Sequence, residues 1–200
     1  VKVSREEDAL IVTDVQYDFL PGGALGVEEG DRIIPVINRL IPAFRHVVFS
    51  RDWHPEGHCS FSESPEFVDK SWPEHCVAGT RGAEFHGDLE VPGRAMVVSK
   101  ATDADREAYS CFQDTGLAER LRRLGVKRVF VTGLATDYCV RWTAEDAAGS
   151  GFAVVVVADA VAGIDVPEGN VDRAVRELKE RGVVFVESGA IEAGTRAGGG

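Results

Sequence analysis

Long apolar runs are missing from this chain. No stretch of its 200 residues approaches the roughly 20 consecutive apolar positions that a membrane-spanning helix needs. The opening residues, VKVSREEDALIV, lack the basic-then-apolar pattern of a secretory signal. A surplus of positive charge is missing as well. The formal net charge of −11 argues against nucleic acid and anionic membrane surfaces as partners, while leaving small ligands open. Cysteine is scarce and unpatterned: Cys59, Cys76, Cys111 and Cys139 show neither metal-type nor secretory spacing, so reduced thiols and a cytoplasmic setting are expected. No internal repeat is visible.

What remains is an ordinary globular composition. An apolar fraction of 44% over this length suits one domain with a two-sided core, expected over residues 1–190. The C-terminal EAGTRAGGG reads as a flexible tail over 191–200. Short apolar runs predict strands at Ala9–Thr13, His46–Ser50, Ala95–Ser99, Arg128–Thr132, Phe152–Ala158 and Val183–Val186. Helical spacing appears between them at Arg32–Arg45, Leu117–Leu124, Asp137–Ala148 and Asn170–Arg181. This alternation predicts a three-layer α/β/α fold with a six-stranded, mostly parallel sheet.

One region breaks the rhythm. Residues 51–94 carry no convincing strand or long helix, and ordered connections of that length are usually functional. His54, His58, His75 and His86, with Trp53 and Trp72, all lie there. That concentration points to a site built over the sheet.

Chemistry-bearing residues gather at the strand ends. In VFVTGLATDYCV a β-branched run is broken by Gly133, Thr136 and Asp137 can each cap a helix, and Cys139 falls in the first helical turn. Unpaired N–H groups at such a turn favour a thiolate, although a small buried packing cysteine is the plain alternative. Asp14 closes the first strand and Lys100 the third, so an acid, an amine and a thiol reach one rim of the sheet, where α/β ligands bind. Taken singly, Asp14 reads equally as a helix cap and Lys100 as a solvated surface charge. Their conjunction is what points to catalysis. Asp52 and His54 are spaced i, i+2, so in extended chain they face one side. With His58 and His75 nearby they suit a divalent Zn, Fe or Mn ion with open positions, against the alternative of a surface D-x-H without metal.

Together these segments resemble the nicotinamidase (pyrazinamidase) branch of the isochorismatase-like cysteine hydrolases. The motifs are DVQYDFLPGGAL (14–25), SRDWHPEGHCSF (50–61), WPEHCVAGT (72–80), VVSKATD (97–103), YSCF (109–112) and GLATDYCV (133–140). The resemblance implies a catalytic triad of Asp14, Lys100 and Cys139, and an oxyanion hole from the backbone N–H groups of Ala135 and Cys139. It implies substrate contacts by Phe19, Trp72, Leu134 and Tyr109, and a cis peptide at Leu134–Ala135. It also implies one divalent ion, zinc first and iron or manganese as alternatives, on Asp52, His54 and His75 with His58 as a candidate fourth or outer ligand. The implied reaction is hydrolysis of nicotinamide to nicotinate and ammonia through a thioester, with pyrazinamide as an analogue substrate and a homo-oligomer left open. The alternatives are a related amidase for carbamoyl or ureido substrates, which would not need the metal, and a non-catalytic metabolite-binding relative.

Overall fold

Side-chain alternation along the strands sets the layering. A computed structural model describes residues 1–67 and 70–194. Its strands are β1 (Asp8–Thr13), β2 (His46–Asp52), β3 (Met96–Lys100), β4 (Arg128–Leu134), β5 (Ala153–Ala162) and β6 (Val184–Val186). They form one sheet in the order β3-β2-β1-β4-β5-β6, and every neighbouring pair is parallel, so the expected "mostly parallel" sheet is wholly so. Leu10, Val12, Phe130, Val155 and Val157 face one core, shared with Ile34, Ile37 and Leu40 of α1 (Ile34–Leu40). Ala9, Ile11, Val129, Val131, Val154 and Val156 face the other. There they meet Leu117 and Leu121 of α2 (Leu117–Arg123), Ala144 and Ala147 of α3 (Arg141–Gly149) and Leu178 of α4 (Asn170–Glu180). Period-2 burial on both faces is what a covered parallel sheet requires. Among the described residues, no helix is long and apolar enough to cross a membrane.

The structure departs from the expected boundaries in instructive places. The helix expected over Arg32–Arg45 is α-helical only at Ile34–Leu40, with 3₁₀ turns at Gly30–Ile33 and Ile41–Ala43. Pro42 has no N–H to give the carbonyl one turn back, so the α-helix closes before it. Strands β2, β3 and β4 run further than their apolar cores, because Asp52 pairs in register with Lys100 and Leu134 with Ala162. Residues 191–194 of the stretch expected as a tail lie among the described residues. Lys2 and Glu192 form a parallel bridge, with Val3 N–H donating to the Glu192 carbonyl at 2.9 Å and Glu192 N–H to the Val1 carbonyl at 2.9 Å. Residues 195–200 lie outside the described residues.

The strand order reverses direction between β1 and β4, so their carboxyl ends flank a crevice. Gly133 makes the close approach possible: its φ is +103°, and a Cβ there would lie 2.0 Å from the Thr13 carbonyl oxygen and 2.6 Å from the Thr13 nitrogen. Gly133→Ala is therefore expected to destabilise the fold by about 2–5 kcal/mol, the combined cost of a left-handed alanine and overpacking. Gly149→Ala, on α3 with open space around the added methyl, should be neutral or stabilising by up to about 1 kcal/mol. Urea midpoints of the two variants check this; equal midpoints would contradict the assignment of Gly133 as a packing constraint.

Candidate active site

Three strand ends deliver their side chains to the crevice. Asp14 follows β1 with φ +50°, its N–H donating to the Ser50 carbonyl at 3.1 Å and its Oδ1 accepting from Ser50 Oγ at 2.7 Å. Lys100 ends β3 and is only 2% exposed, which removes the surface-charge reading. Its Nζ lies 2.9 Å from Asp14 Oδ2, contacts Asp52 Oδ1, and donates to the Ala108 carbonyl at 3.2 Å and towards Cys139 Sγ at 3.4 Å. Cys139 sits in a π turn, Thr136–Val140, that joins β4 to α3. The acceptor and sulfur atoms of Asp14, Asp52 and Cys139 all fall within 4.8 Å of one another.

The electrostatics correct one expectation from sequence. The turn position alone suggested a resting thiolate, yet Cys139 is held well above the ordinary thiol range. Burial is the main cause; the Lys100 ammonium works against it, and the carboxylates Asp14 and Asp52 add to it. Asp14 is also raised, by burial first, with Lys100 opposing and Asp52 reinforcing. Burial alone would discharge Lys100, but Asp14 and Asp52 outweigh it and keep the ammonium charged. The resting arrangement is a neutral thiol beside a carboxylate that takes up a proton more readily than usual. Nor does the cap expectation hold. Ala135 occupies the N-cap position without a side-chain bond, and Asp137 turns away to the segment after β5.

The histidine-rich connection folds back along the end of β2. Bridges His54–Val77 and Phe61–Trp72 draw its two halves together. Gln16 fixes Asp52 by accepting from its N–H at 2.8 Å and donating to its carbonyl at 2.8 Å. His54 Nδ1 faces the His75 carbonyl at 3.2 Å, and His75 Nδ1 faces the Pro73 carbonyl at 2.7 Å. A carbonyl partner makes each Nδ1 the N–H donor, leaving both Nε2 lone pairs as acceptors. Among the described residues His54 Nε2 is buried without a hydrogen-bond partner, with Glu107 Oε1 3.8 Å away, and the Asp52, His54 and His75 donor atoms lie within 4.8 Å of one another. Two imidazole nitrogens and a carboxylate suit a divalent transition metal, so these residues fit the implied ion. His58 is placed differently. Its Nδ1 bonds Ser60 Oγ at 2.8 Å and its Nε2 bonds the Arg106 carbonyl at 3.2 Å, and it groups with His54 and Glu107 rather than with Asp52 and His75.

A cavity between the two groups is lined by Phe19, Trp72, His75, Tyr109, Ala135 and Cys139, among others. Trp72 Nε1 donates to Tyr109 Oη at 2.9 Å, and the Trp72 indole meets the Tyr138 ring edge-on at 4.8 Å. The Leu134–Ala135 peptide is cis. Leu134 does not join the lining. In phase with Phe130, it is wholly buried in the core beside α1, near Gly30. Four lining residues were not singled out from sequence: Leu25, Glu107, Tyr138 and Ile164. Leu25 and Tyr138 sit inside recognised motifs, and Glu107 ends an acidic stretch. Ile164 carries no local signal at all.

A doubly wound parallel sheet with a thiol, a carboxylate and an ammonium buried where its strands end places the chain among the α/β enzymes. The chain belongs to the isochorismatase family, whose Isochorismatase domain matches residues 8–189. It is 40% identical over 187 residues to the nicotinamidase/pyrazinamidase of Mycobacterium tuberculosis, covering 90% of this chain and 96% of that one. Among solved structures, the zinc complex of Pyrococcus horikoshii pyrazinamidase shares 49% identity, with a TM-score of 0.82 over 90% of this chain and 99% of that one. An L. infantum protein in complex with nicotinate shares 40% identity, with a TM-score of 0.85 over 96% of this chain and 98% of that one.

The donor geometry yields a measurable expectation. Elemental analysis of purified protein should find about one divalent ion per chain, and affinity should fall at least about tenfold in His54→Ala and His75→Ala. His58→Ala should keep the ion, because both of its ring nitrogens are already engaged. Equal metal content in all three variants would overturn the assignment.

Proposed function

We propose that this chain is a nicotinamidase, hydrolysing nicotinamide to nicotinate and ammonia through a thioester on Cys139, with pyrazinamide as an analogue substrate. The observation that carries the reading is the single buried ammonium of Lys100, shared between the Asp14–Cys139 pair and the Asp52 end of the imidazole cluster. It joins an acyl-transfer site to a ring-anchoring site across one small aromatic cavity. The relatives that act on nicotinamide or pyrazinamide, and the one solved with nicotinate, support the substrate class.

The residues perform the reaction as follows. Phe19, Trp72 and Tyr109 bracket the planar ring and exclude water, leaving the carboxamide carbon in front of Cys139 Sγ. Asp14 takes the thiol proton as sulfur attacks, and the N–H groups of Ala135 and Cys139 stabilise the oxygen that becomes negative. Lys100 stabilises the transient thiolate and holds Asp14 in line. Asp14 then returns the proton to nitrogen, ammonia leaves, and the acyl group remains on sulfur. A water deprotonated by the same carboxylate attacks the thioester, releasing the carboxylic acid and restoring the thiol. A divalent ion held by Asp52, His54 and His75, with zinc the first choice, would supply Lewis-acid anchoring of the pyridine nitrogen. The carbamoyl or ureido alternative makes no use of that donor set, which is why it ranks second.

Ammonia release from nicotinamide should be abolished in Cys139→Ala, a loss on the order of 10³-fold or more. Cys59→Ala, Cys76→Ala and Cys111→Ala should each retain most activity. Substantial turnover by Cys139→Ala would overturn the mechanism, and absence of turnover by the unmodified protein would overturn the function.

A further inference from the structure

The carboxylate of Asp137 has no part in the chemistry above, yet it is only 2% exposed and stands two positions before the nucleophile. Among the described residues it has no ion-pair partner; its oxygens are satisfied by neutral donors from one distant segment. Oδ1 accepts from Ile164 N–H at 3.0 Å, and Oδ2 from Asp165 N–H at 3.0 Å and Asn170 Nδ2 at 3.1 Å. An uncompensated buried carboxylate is costly, so its donors must be held in place. They are. Asp165, at φ +56°, accepts from Val171 N–H at 2.9 Å and Gly169 N–H at 3.2 Å, stiffening the segment internally. Tyr138 Oη adds a bond to the Val166 carbonyl at 2.7 Å. At Gly163 an added Cβ would lie 3.0 Å from Asp137 Oδ1 and 2.3 Å from Val171 Cγ2, so the approach leaves no slack.

The result is a strap, residues 163–170, fastened to the nucleophile turn by the Asp137 carboxylate and, at Val166, by the Tyr138 hydroxyl. Tyr138 and Cys139, which follow Asp137, line the cavity from the turn, and Ile164 lines it from the strap. We infer that Asp137 is a positioning residue that registers Ile164 against the nucleophile turn, and that Ile164 is a specificity-determining residue limiting the width of the aromatic ring accepted. The inference rests on the aromatic-amide reading above. It assigns the cavity's upper size limit to a contact between the β4–α3 turn and the β5–α4 connection.

The test is a kinetic cycle on Ile164→Ala, Asp137→Asn and the double variant, using nicotinamide and a ring-methylated nicotinamide. Asp137→Asn keeps the shape but turns an amide N–H₂ towards a donor. Each single variant should raise KM for nicotinamide about tenfold, with kcat changed by less than about threefold. Preference for the methylated ring over nicotinamide, read as a ratio of kcat/KM, should rise at least about fivefold in both. The double variant should be no more than about twofold worse than the poorer single, because a wall already out of register has little left to lose. Losses that multiply, or an unchanged ratio between the two substrates, would overturn the inference. Should Asp137→Asn fail to fold, Asn170→Ala removes one donor of the same clasp, and the ratio should still move in the same direction. If the unmodified protein leaves nicotinamide intact, the functional reading fails separately. The strap is then read from alkylation of Cys139, where the rate ratio of N-ethylmaleimide to iodoacetamide should rise in Asp137→Asn and Ile164→Ala. An unchanged ratio in both would overturn the inference.

Discussion

One buried ammonium holds the functional end of this fold together. Lys100 lies within ion-pair distance of Asp14 and Asp52, two carboxylates that without it would face each other in a region closed to water. Removing one partner from such a cluster leaves an uncompensated charge at several kcal/mol, typically about 3–5. The cluster therefore stands or falls as a unit. It also couples two tasks: the same Nζ donates towards Cys139 and contacts the carboxylate that sits among the imidazoles. Two carboxylates share the one ammonium, so acidic groups outnumber basic ones in the cluster. That surplus complements a divalent cation and disfavours a free thiolate, consistent with the raised Cys139 thiol.

The sheet supplies the precision and the connections supply the chemistry around it. Asp14, Lys100 and Cys139 come from β1, β3 and β4, whose parallel register brings their carboxyl ends to a common rim. The long connection after β2 is tied down by main-chain bridges and by Gln16, whose carboxamide engages both the N–H and the carbonyl of Asp52. Asp18 extends the same lacing, its Oδ2 accepting from Cys76 N–H at 2.7 Å, next to His75. Irregular backbone thus acquires the rigidity of a strand end, which a ligand set needs if its donors are to stay convergent.

Much of this was legible from the residues. Strand positions followed from period-2 and β-branched patterning, and the placing of Asp14, Lys100 and Cys139 at strand ends followed from where those patterns stop. Asp52, His54 and His75 stood out by type and spacing. The phase of Leu134 is readable too: it alternates with Phe130 towards the core beside α1. Asp137 was misjudged as a cap because a cap is a local possibility, whereas its actual donors lie beyond an intervening helix and strand.

Local pattern, then, determined the order of elements, the two-faced core and the identities of the side chains at the rim, since these depend on neighbours within a few positions of the chain. Tertiary structure alone decided three things. It set the protonation of Cys139, which depends on burial and on charges contributed by β1, β2 and β3 together. It separated His58 from the Asp52 set, by giving both of its ring nitrogens to Ser60 and Arg106. And it brought Ile164 to the cavity wall, because hydrogen bonds from its own N–H and its neighbour's to a distant carboxylate, rather than anything in its own sequence, fix where that side chain stands.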